Sequence, residues 1–349
     1  MIYLSEYNVD AYKGVSGLEM KNLGDINILT GDNDSGKTSV LESVMLLKNN
    51  DDILNVLKTA DIRNSNYTVE NRLAKFNSFF FMFNAAAEHE KKIAVTGMLN
   101  DKPVSFELTG RFKKVQVPYR QNMDEMREFR GDMASRYGNE KKNTPVRLNE
   151  LLNINTTVKK PENIGIRYVS ALQHTSGRVF DKILNEPYYK EVVVKALGLF
   201  DKDILDIVYL KDENNSRLTE YVHHRTLGCI PVSCMGDGVK RVLAVANGIV
   251  SSKQGILLID DIDTSLSSEC FDDIFCFVVR LCMKFRIQLF VSVRNKAAVK
   301  SFLNSQNYDD KDTYDPIRII TLSRNDNKTC ADIVTGNEAY RSAKINSIN

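Results

Sequence analysis

The loop at residues 31–38, with the segments on either side of it, constrains the fold of this chain more than any other feature. Residues 26–31 (INILTG) are apolar enough for a buried strand, and residues 37–48 repeat apolar side chains at helical spacing. Between them runs GDNDSGKT, which has the form GxxxxGK[ST] of a phosphate-binding loop. A strand, a glycine-bearing loop and a helix in this order predict an α/β fold that holds an anion at the helix N-terminus.

The residue types in this loop suit a nucleoside triphosphate. Gly31 and Gly36 allow backbone N–H groups to turn inward around phosphates. Lys37 is a candidate catalytic residue that supplies positive charge to the β- and γ-phosphate oxygens, and Thr38 offers a hydroxyl to Mg²⁺. We therefore expect ATP or GTP, with Mg²⁺, to bind here. The other predicted nucleotide contacts in this region are Asn33, Asp34, Ser35 and Ser39.

A second motif places two carboxylates after an apolar strand. Residues 256–259 (ILLI) are consecutive aliphatic residues, and Asp260 and Asp261 follow them. A buried strand of this kind delivers Asp260 to the carboxyl edge of a parallel sheet, where it can bind Mg²⁺ through water. Asp261 is then the candidate catalytic residue that polarises the attacking water. Many strands end in acidic turns, so this prediction depends on its pairing with the loop at 31–38.

A third motif, SCMGDGVKR at residues 233–241, precedes a predicted helix. Ser233, Gly236 and Gly238 at the N-terminus of this helix form a candidate second anion site. The sequence has one nucleotide loop, so a second site would have no ligand of its own. A head-to-tail dimer resolves this, because the Ser233 region of each subunit would face the nucleotide of the other. The alternative interpretation is a capped helix after a glycine turn.

The remaining pattern predicts a core and an insertion. From residue 163 onward, apolar strands alternate with helices, which favours a mostly parallel sheet covered on both faces. Residues 92–98 and 104–110 predict an antiparallel hairpin. The predicted fold class is α/β, with an antiparallel β lobe and a helical or mobile insertion beside the sheet. The predicted domains are a core (1–50 and 163–325), an insertion with helices, the hairpin and a basic arm (51–162), and a short C-terminal extension (326–349).

Residues 111–160 are unusually basic, with twelve Lys or Arg against six Asp or Glu, a net charge of +6. We interpret them as an insertion or mobile arm. Such a segment is either a solvated surface or a contact for nucleic acid or an acidic partner. The net charge of the whole chain is only +2, so composition gives no general argument for a nucleic-acid or membrane partner.

Cysteine usage and hydropathy indicate a cytoplasmic protein. The six cysteines show no CxxC spacing and the four histidines no metal-ligand pattern, which favours reduced thiols. The N-terminus lacks the basic and apolar regions of a signal peptide. The longest apolar runs are too short to span a bilayer, so no membrane association is expected.

The three motifs, in this order and spacing, resemble ABC-type ATPase heads of the SMC, RecF and OLD kind. More closely, the chain resembles prokaryotic AAA-type ATP-binding proteins that share this head, many of them associated with phage defence. The resemblance covers residues 1–48 and about 163–323, and it includes Asn33, SCMGDGVKR and LLIDDIDTSL. It implies an ATPase in which two ATP molecules lie between two heads. It also implies a basic residue near the nucleotide, which is Lys13 here.

Two positions depart from this family pattern. The family's catalytic glutamate is Asp261 here, one methylene shorter, and the histidine that senses the γ-phosphate is Arg294. An arginine can hold a phosphate but cannot relay a proton, so both changes predict slow hydrolysis. Arg294 could equally be an exposed charge at a strand end. The candidate for the family's glutamine near Mg²⁺ is Gln173, after the predicted strand at 163–170.

The resemblance favours an ATP-gated dimer, at least a homodimer, that controls a separately encoded effector such as a nuclease, in antiviral defence. One alternative is a scaffold that binds ATP without turning it over, which Asp261 and Arg294 favour. Another is a RecF-like DNA-binding repair ATPase, which only the basic segment at 111–160 supports.

Overall fold

The computed structural model describes residues 2–64, 74–84, 90–119, 122–150, 163–172, 187–211, 218–306, 308, 314–326 and 328–346. Within these ranges the chain forms three sheets, with helices packed between and around two of them. The helices are α1 (Lys37–Val44), α2 (Ile53–Ala60), α3 (Lys75–Phe80), α4 (Pro187–Phe200), α5 (Asp237–Ser251), α6 (Phe271–Phe285), α7 (Lys296–Leu303) and α8 (Gly336–Asn346). None of these helices is long and apolar enough to cross a membrane.

The central sheet is mostly parallel, as the sequence predicts. Its spatial order is β15-β14-β3-β13-β12-β8, and only the β14–β15 pair is antiparallel. The strands are β3 (Ile26–Gly31), β8 (Ile166–Val169), β12 (Ile256–Ile259), β13 (Gln288–Ser292), β14 (Ile317–Asn325) and β15 (Lys328–Thr335). Strand β15 extends the sheet past residue 325, where the sequence analysis placed only a C-terminal extension.

The central sheet lies between two hydrophobic cores. Along β12, Leu257 and Ile259 join the core formed with α4–α7, whereas Ile256 and Leu258 join the core formed with α1. Alternate residues of a strand point to opposite faces, so a strand buried on both faces must be apolar throughout. The carboxyl ends of β3, β12 and β13 therefore meet at one edge, where the chain leaves the core.

A second, antiparallel sheet of six strands packs over α1. Its order is β2-β1-β4-β5-β6-β7. The strands are β1 (Leu4–Tyr12), β2 (Val15–Met20), β4 (Lys91–Leu99), β5 (Lys102–Tyr119), β6 (Asn122–Tyr137) and β7 (Glu140–Asn149). The predicted hairpin is confirmed as β4 and the first half of β5. A third sheet contains β9 (Ile204–Lys211), β10 (Leu218–His224) and β11 (Gly228–Pro231).

The expectation of a mobile arm at residues 111–160 is wrong for residues 111–119 and 122–149, which continue β5 and form β6 and β7. Phe129 and Met133 face the core, whereas basic side chains such as Lys113 and Arg130 are exposed. Across the strands, basic and acidic groups pair, as in the 2.5 Å contact between Lys114 Nζ and Glu125 Oε1. Cross-strand pairs of opposite charge stabilise an antiparallel ladder. A charge count over the whole segment conceals the difference between the buried apolar side chains and the exposed, ion-paired basic ones.

Candidate functional site

A cavity of about 520 Å³ opens at the sheet edge where β3 and β13 end. The loop at residues 31–38, called the phosphate loop below, connects β3 to α1 and forms one wall of it. A volume of this size is within the range of small-molecule sites in proteins. The lining residues are Gly14, Val15, Asn33, Asp34, Ser35, Gly36, Lys37, Thr38, Ser39, Arg63, Asp261, Arg294, Arg324 and Thr329.

The phosphate loop needs glycine at two positions. Gly31 has φ 132° and Gly36 has φ 100°, both in the region that favours glycine. A Cβ atom at Gly31 would lie 2.2 Å from the carbonyl oxygen of Leu322 on β14, and one at Gly36 would lie 2.9 Å from Val15. The loop backbone therefore approaches its neighbours more closely than any side chain permits.

The polar side chains of the loop are arranged around its backbone. Lys37 Nζ donates hydrogen bonds to the carbonyl oxygens of Gly31, at 2.7 Å, and Asp32, at 2.9 Å, so the ammonium group spans the loop. The buried Ser35 Oγ has no hydrogen-bond partner among the described residues. A buried hydroxyl without a partner is costly, and an anion in the loop would satisfy it. These features fit a bound phosphate group.

A cluster of oxygen atoms lies beside the loop. Thr38 Oγ1 donates to Asp260 Oδ1 at 3.0 Å, and Ser292 Oγ donates to the same oxygen at 2.7 Å. Hydroxyl and carboxylate oxygens are the ligands that Mg²⁺ prefers. The structure thus brings together Thr38 and Asp260, the two residues predicted to hold the metal, although they are 222 positions apart. Sequence analysis missed Ser292, whose only signal is its place at the end of an apolar strand.

Because this oxygen cluster is buried, negative charge on Asp260 is energetically costly. Asp260 is 5% exposed, and burial raises its pKa; the adjacent charge of Asp261 raises it further, while hydrogen bonds from Ser292 and Thr38 oppose the shift. Asp261 has φ 44°, an uncommon conformation for a residue other than glycine. A cation bound at Asp260 would offset the cost of its charge.

The carboxylate of Asp261 is held by Arg294. Arg294 donates to Asp261 Oδ2 from Nε at 2.8 Å and from a terminal nitrogen at 2.5 Å. This hydrogen bonding raises the pKa of the Arg294 guanidinium. The backbone N–H of Arg294 also donates to Asp263, which fixes the chain after β13. Arg294 is therefore no isolated surface charge, because it binds the side chain predicted to polarise water.

Arg241, at the end of the third motif, lies beneath both carboxylates. Its side chain is fully buried, and it donates to the backbone carbonyl oxygens of Ser170 (2.7 Å), Asp260 (2.6 Å) and Asp261 (3.0 Å). Burial lowers its pKa to about 10, against the opposing influence of the nearby aspartates. Helix α5 is thus tied directly to the ends of β8 and β12.

The other residues of the third motif lie outside this cavity. Ser233 and Gly236 are exposed, and neither they nor Gly238 are among the residues that line the cavity. A Cβ atom at Gly236 would meet nothing within 4 Å, so its backbone faces open space. A Cβ atom at Gly238 would lie 2.4 Å from the Phe200 ring, so packing against α4 is sufficient reason for this glycine.

Lys13 does not line the cavity. Its Nζ contacts the buried carboxylate of Glu42 on α1 at 2.6 Å, and Arg63 contacts the other oxygen of Glu42 at 2.5 Å. Arg63 also reaches Ser39 Oγ at 3.3 Å and lines the cavity. Sequence analysis missed Arg63 and Arg324, which have no motif around them. Gln173 lies outside the described residues.

Comparison with solved structures shows that the fold of this chain is similar to that of SMC head domains. An SMC head bound to the C-terminal winged-helix domain of ScpA is 11% identical, with a TM-score of 0.57 over 97% of this chain and 100% of that one. The Smc head with an extended coiled coil, bound to the C-terminal domain of ScpA from Pyrococcus furiosus, is 10% identical, with a TM-score of 0.52 over 99% of each chain. No protein-family model and no curated protein matches the sequence.

Proposed function

We propose that this protein is an ATP-binding ATPase head of the ABC type that dimerises head-to-tail around ATP and Mg²⁺. One observation carries the proposal: on an SMC-head fold, Lys37, Thr38 and Asp260 converge at one sheet edge beside a cavity of about 520 Å³. The anion-binding loop and the carboxylate come from distant parts of the chain, so chance similarity to a motif does not account for their contact.

Each residue has a distinct proposed role. The loop amides and Lys37 bind the phosphates, and the hydroxyl of Ser35, which has no hydrogen-bond partner among the residues that the structure describes, gains one. Thr38 and Asp260 hold Mg²⁺, which when bound neutralises charge on the β- and γ-phosphate oxygens. Asp261 orients the attacking water. Arg63 and Arg324 add positive charge to the cavity wall.

The third motif supports the dimer. The exposed Ser233 and the open backbone at Gly236 lie outside the cavity of their own subunit. In a head-to-tail pair they would contact the nucleotide of the other subunit, at the N-terminus of α5, where backbone N–H groups favour an anion. Each ATP would then join two copies of the chain.

The ion pair between Arg294 and Asp261 supports slow hydrolysis. A carboxylate oxygen that already accepts two hydrogen bonds from a guanidinium is less available to accept one from the attacking water. Turnover then requires that Arg294 release Asp261. If it does not, the protein is a scaffold that holds ATP without hydrolysing it, which is the second candidate function.

We further propose that the dimer controls a separately encoded effector, with antiviral defence as the setting that the family resemblance suggests. The SMC heads named above bind a separate protein, ScpA, in their structures. A RecF-like role in DNA binding has less support, because ion pairs engage part of the basic surface. Lys142 pairs with Asp51, and Arg127 with Glu150. Exposed Lys113 and Lys141 should give at most weak, salt-sensitive DNA binding.

The test is ATP turnover with Mg²⁺, together with the mass of the protein with and without ATP. Turnover and an ATP-dependent dimer should both disappear in Lys37→Ala, whereas Lys58→Ala, an exposed lysine on α2, should resemble the wild type. Asp261→Asn should lose turnover and keep the dimer. ATP binding that survives in Lys37→Ala would refute the site.

A second variant distinguishes the ATPase from the scaffold. Asp261→Glu restores the longer side chain of the family pattern, which can reach water from a slightly different position. A clear gain in turnover would indicate a native site that hydrolyses slowly. A dimer that binds ATP tightly in both proteins, with no turnover in either, would establish the scaffold.

A further inference from the structure

A second cavity, of about 800 Å³, lies on the other side of the phosphate loop. We call it the rear cavity. Helices α7 and α8 and strand β14 surround it, and Thr30, Gly31 and Asp32 separate it from the nucleotide cavity. Its volume is in the range of small-molecule sites. None of the motifs or roles assigned above accounts for it.

One wall of the rear cavity is cationic. Arg294, Lys296 and Lys300 line it, and Lys296 and Lys300 are one helical turn apart on α7. Neither lysine has an ion-pair partner within the described ranges, and the cavity lining contains a single acidic residue, Asp32. Like charges at this spacing repel each other. A dianion bound between the two lysines would remove that repulsion.

The same cavity lining also contains apolar and aromatic side chains. Val299 and Leu303 lie on α7 beside the two lysines, and Ile319 of β14 and the half-buried ring of Tyr340 on α8 complete the apolar part. Polar side chains stand at its border, including Thr321 and Asn304. A ligand that matches this mixed lining has a flat ring and a phosphate group, because aromatic rings stack on tyrosine and phosphate binds clustered lysine and arginine.

We propose that the rear cavity binds an aromatic phosphate monoester of the nucleoside monophosphate class, and that this ligand controls hydrolysis through Arg294. Arg294 lines both cavities and pairs with Asp261. A phosphate in the rear cavity attracts the guanidinium and releases the carboxylate of Asp261. The ligand therefore accelerates ATP turnover. This second statement rests on the proposed ATPase function, whereas binding to the rear cavity does not.

Binding is tested by calorimetry with AMP, GMP, CMP and UMP, and with adenosine and inorganic phosphate as partial ligands. We expect saturable binding of at least one monophosphate, and binding at least tenfold weaker for both partial ligands. Affinity should fall at least tenfold in the double variant K296A/K300A. The matched control K58A/K195A removes two exposed lysines elsewhere and should bind like the wild type.

Binding must also be separate from the phosphate loop. Lys37→Ala should bind the monophosphate as the wild type does, because Lys37 does not line the rear cavity. No saturable binding of any of the four monophosphates would overturn the proposal. Binding that is lost in Lys37→Ala, or unchanged in K296A/K300A, would place the ligand elsewhere and overturn it equally.

The coupling is tested by ATP turnover with and without the bound monophosphate. We expect a severalfold increase in the wild type and none in K296A/K300A, whose basal turnover should be unchanged. Turnover that the ligand leaves unchanged or lowers would refute the control mechanism. If the wild type shows no ATP binding at all, the proposed function fails, and the calorimetry still decides whether the rear cavity is a site.

Discussion

Replacing Asp260 by asparagine should stabilise the protein in the absence of nucleotide and Mg²⁺. The carboxylate of Asp260 is 5% exposed, and the hydroxyls of Thr38 and Ser292 both donate to its Oδ1. The amide oxygen of asparagine can accept the same two hydrogen bonds. The substitution therefore removes a buried negative charge and keeps its hydrogen-bonding role.

The size of this stabilisation follows from the distance between the carboxylates of Asp260 and Asp261. Ser292 Oγ is 2.7 Å from Asp260 Oδ1 and 3.4 Å from Asp261 Oδ1, so these two carboxylate oxygens are at most about 6 Å apart. Two unit charges at this distance repel by about 3 kcal/mol at an effective dielectric constant of 20. Arg294 offsets part of this through its ion pair with Asp261. We expect a net gain of about 1–2 kcal/mol in the free energy of unfolding.

The assay is thermal unfolding in EDTA without nucleotide. A chain of 349 residues has an unfolding entropy of about 0.7 kcal/mol per kelvin, so Tm should rise by about 1–3 °C. The exposed Asp273 on α6 provides the control, since Asp273→Asn should change stability by less than about 0.5 kcal/mol. In the presence of Mg²⁺ and ATP the wild type should have a higher Tm than Asp260→Asn, because only the wild type retains the proposed metal ligand, the carboxylate of Asp260.

The stabilisation produced by Asp260→Asn should also depend on pH. Because burial raises the pKa of Asp260, the folded protein keeps this proton at pH values at which the unfolded chain has lost it. The stabilisation from the protonated carboxyl is then lost as pH rises through the folded-state pKa. The difference in Tm between variant and wild type should be full at pH values above the folded-state pKa and shrink as pH falls through it. A lower Tm for Asp260→Asn at pH 7 without Mg²⁺ would refute the argument.

Two further substitutions test the packing around the site. Glu42→Gln should lower the free energy of unfolding, measured in urea, by about 3 kcal/mol, because it leaves the largely buried Lys13 without its counter-charge. The control is Glu19→Gln, at an exposed ion pair, which should lower the free energy of unfolding by less than about 0.5 kcal/mol. Equal losses of stability in Glu42→Gln and Glu19→Gln would contradict a stabilising role for the buried ion pair of Glu42. Gly238→Ala should lower stability by about 1–3 kcal/mol because its methyl group would lie 2.4 Å from the Phe200 ring. The double variant with Phe200→Leu should recover part of that loss in the same urea titration; no recovery would contradict the proposed clash.

Much of the fold was predictable because its signals are local. The phosphate loop and the strands at 26–31 and 256–259 are contiguous patterns of residue type, and a strand buried on both faces shows as an apolar run. The sheet at residues 102–149 was harder to predict. Its two faces alternate residue by residue, so summed charge suggested a loose basic arm where cross-strand ion pairs and an aromatic core stabilise long strands.

The sequence by itself determined that this chain has an α/β core, a glycine-bearing loop between a strand and a helix, and a carboxylate at the end of a buried strand. Each of these depends on neighbours within a few positions. Only the tertiary structure decided that Ser292 shares the oxygen of Asp260 with Thr38, that Arg294 binds Asp261, and that Arg241 supports the backbone of both aspartates. These contacts join residues that are 19 to 222 positions apart, and only the packing of strands into one central sheet, and of helices α1 and α5 against it, brings such side chains within hydrogen-bonding distance.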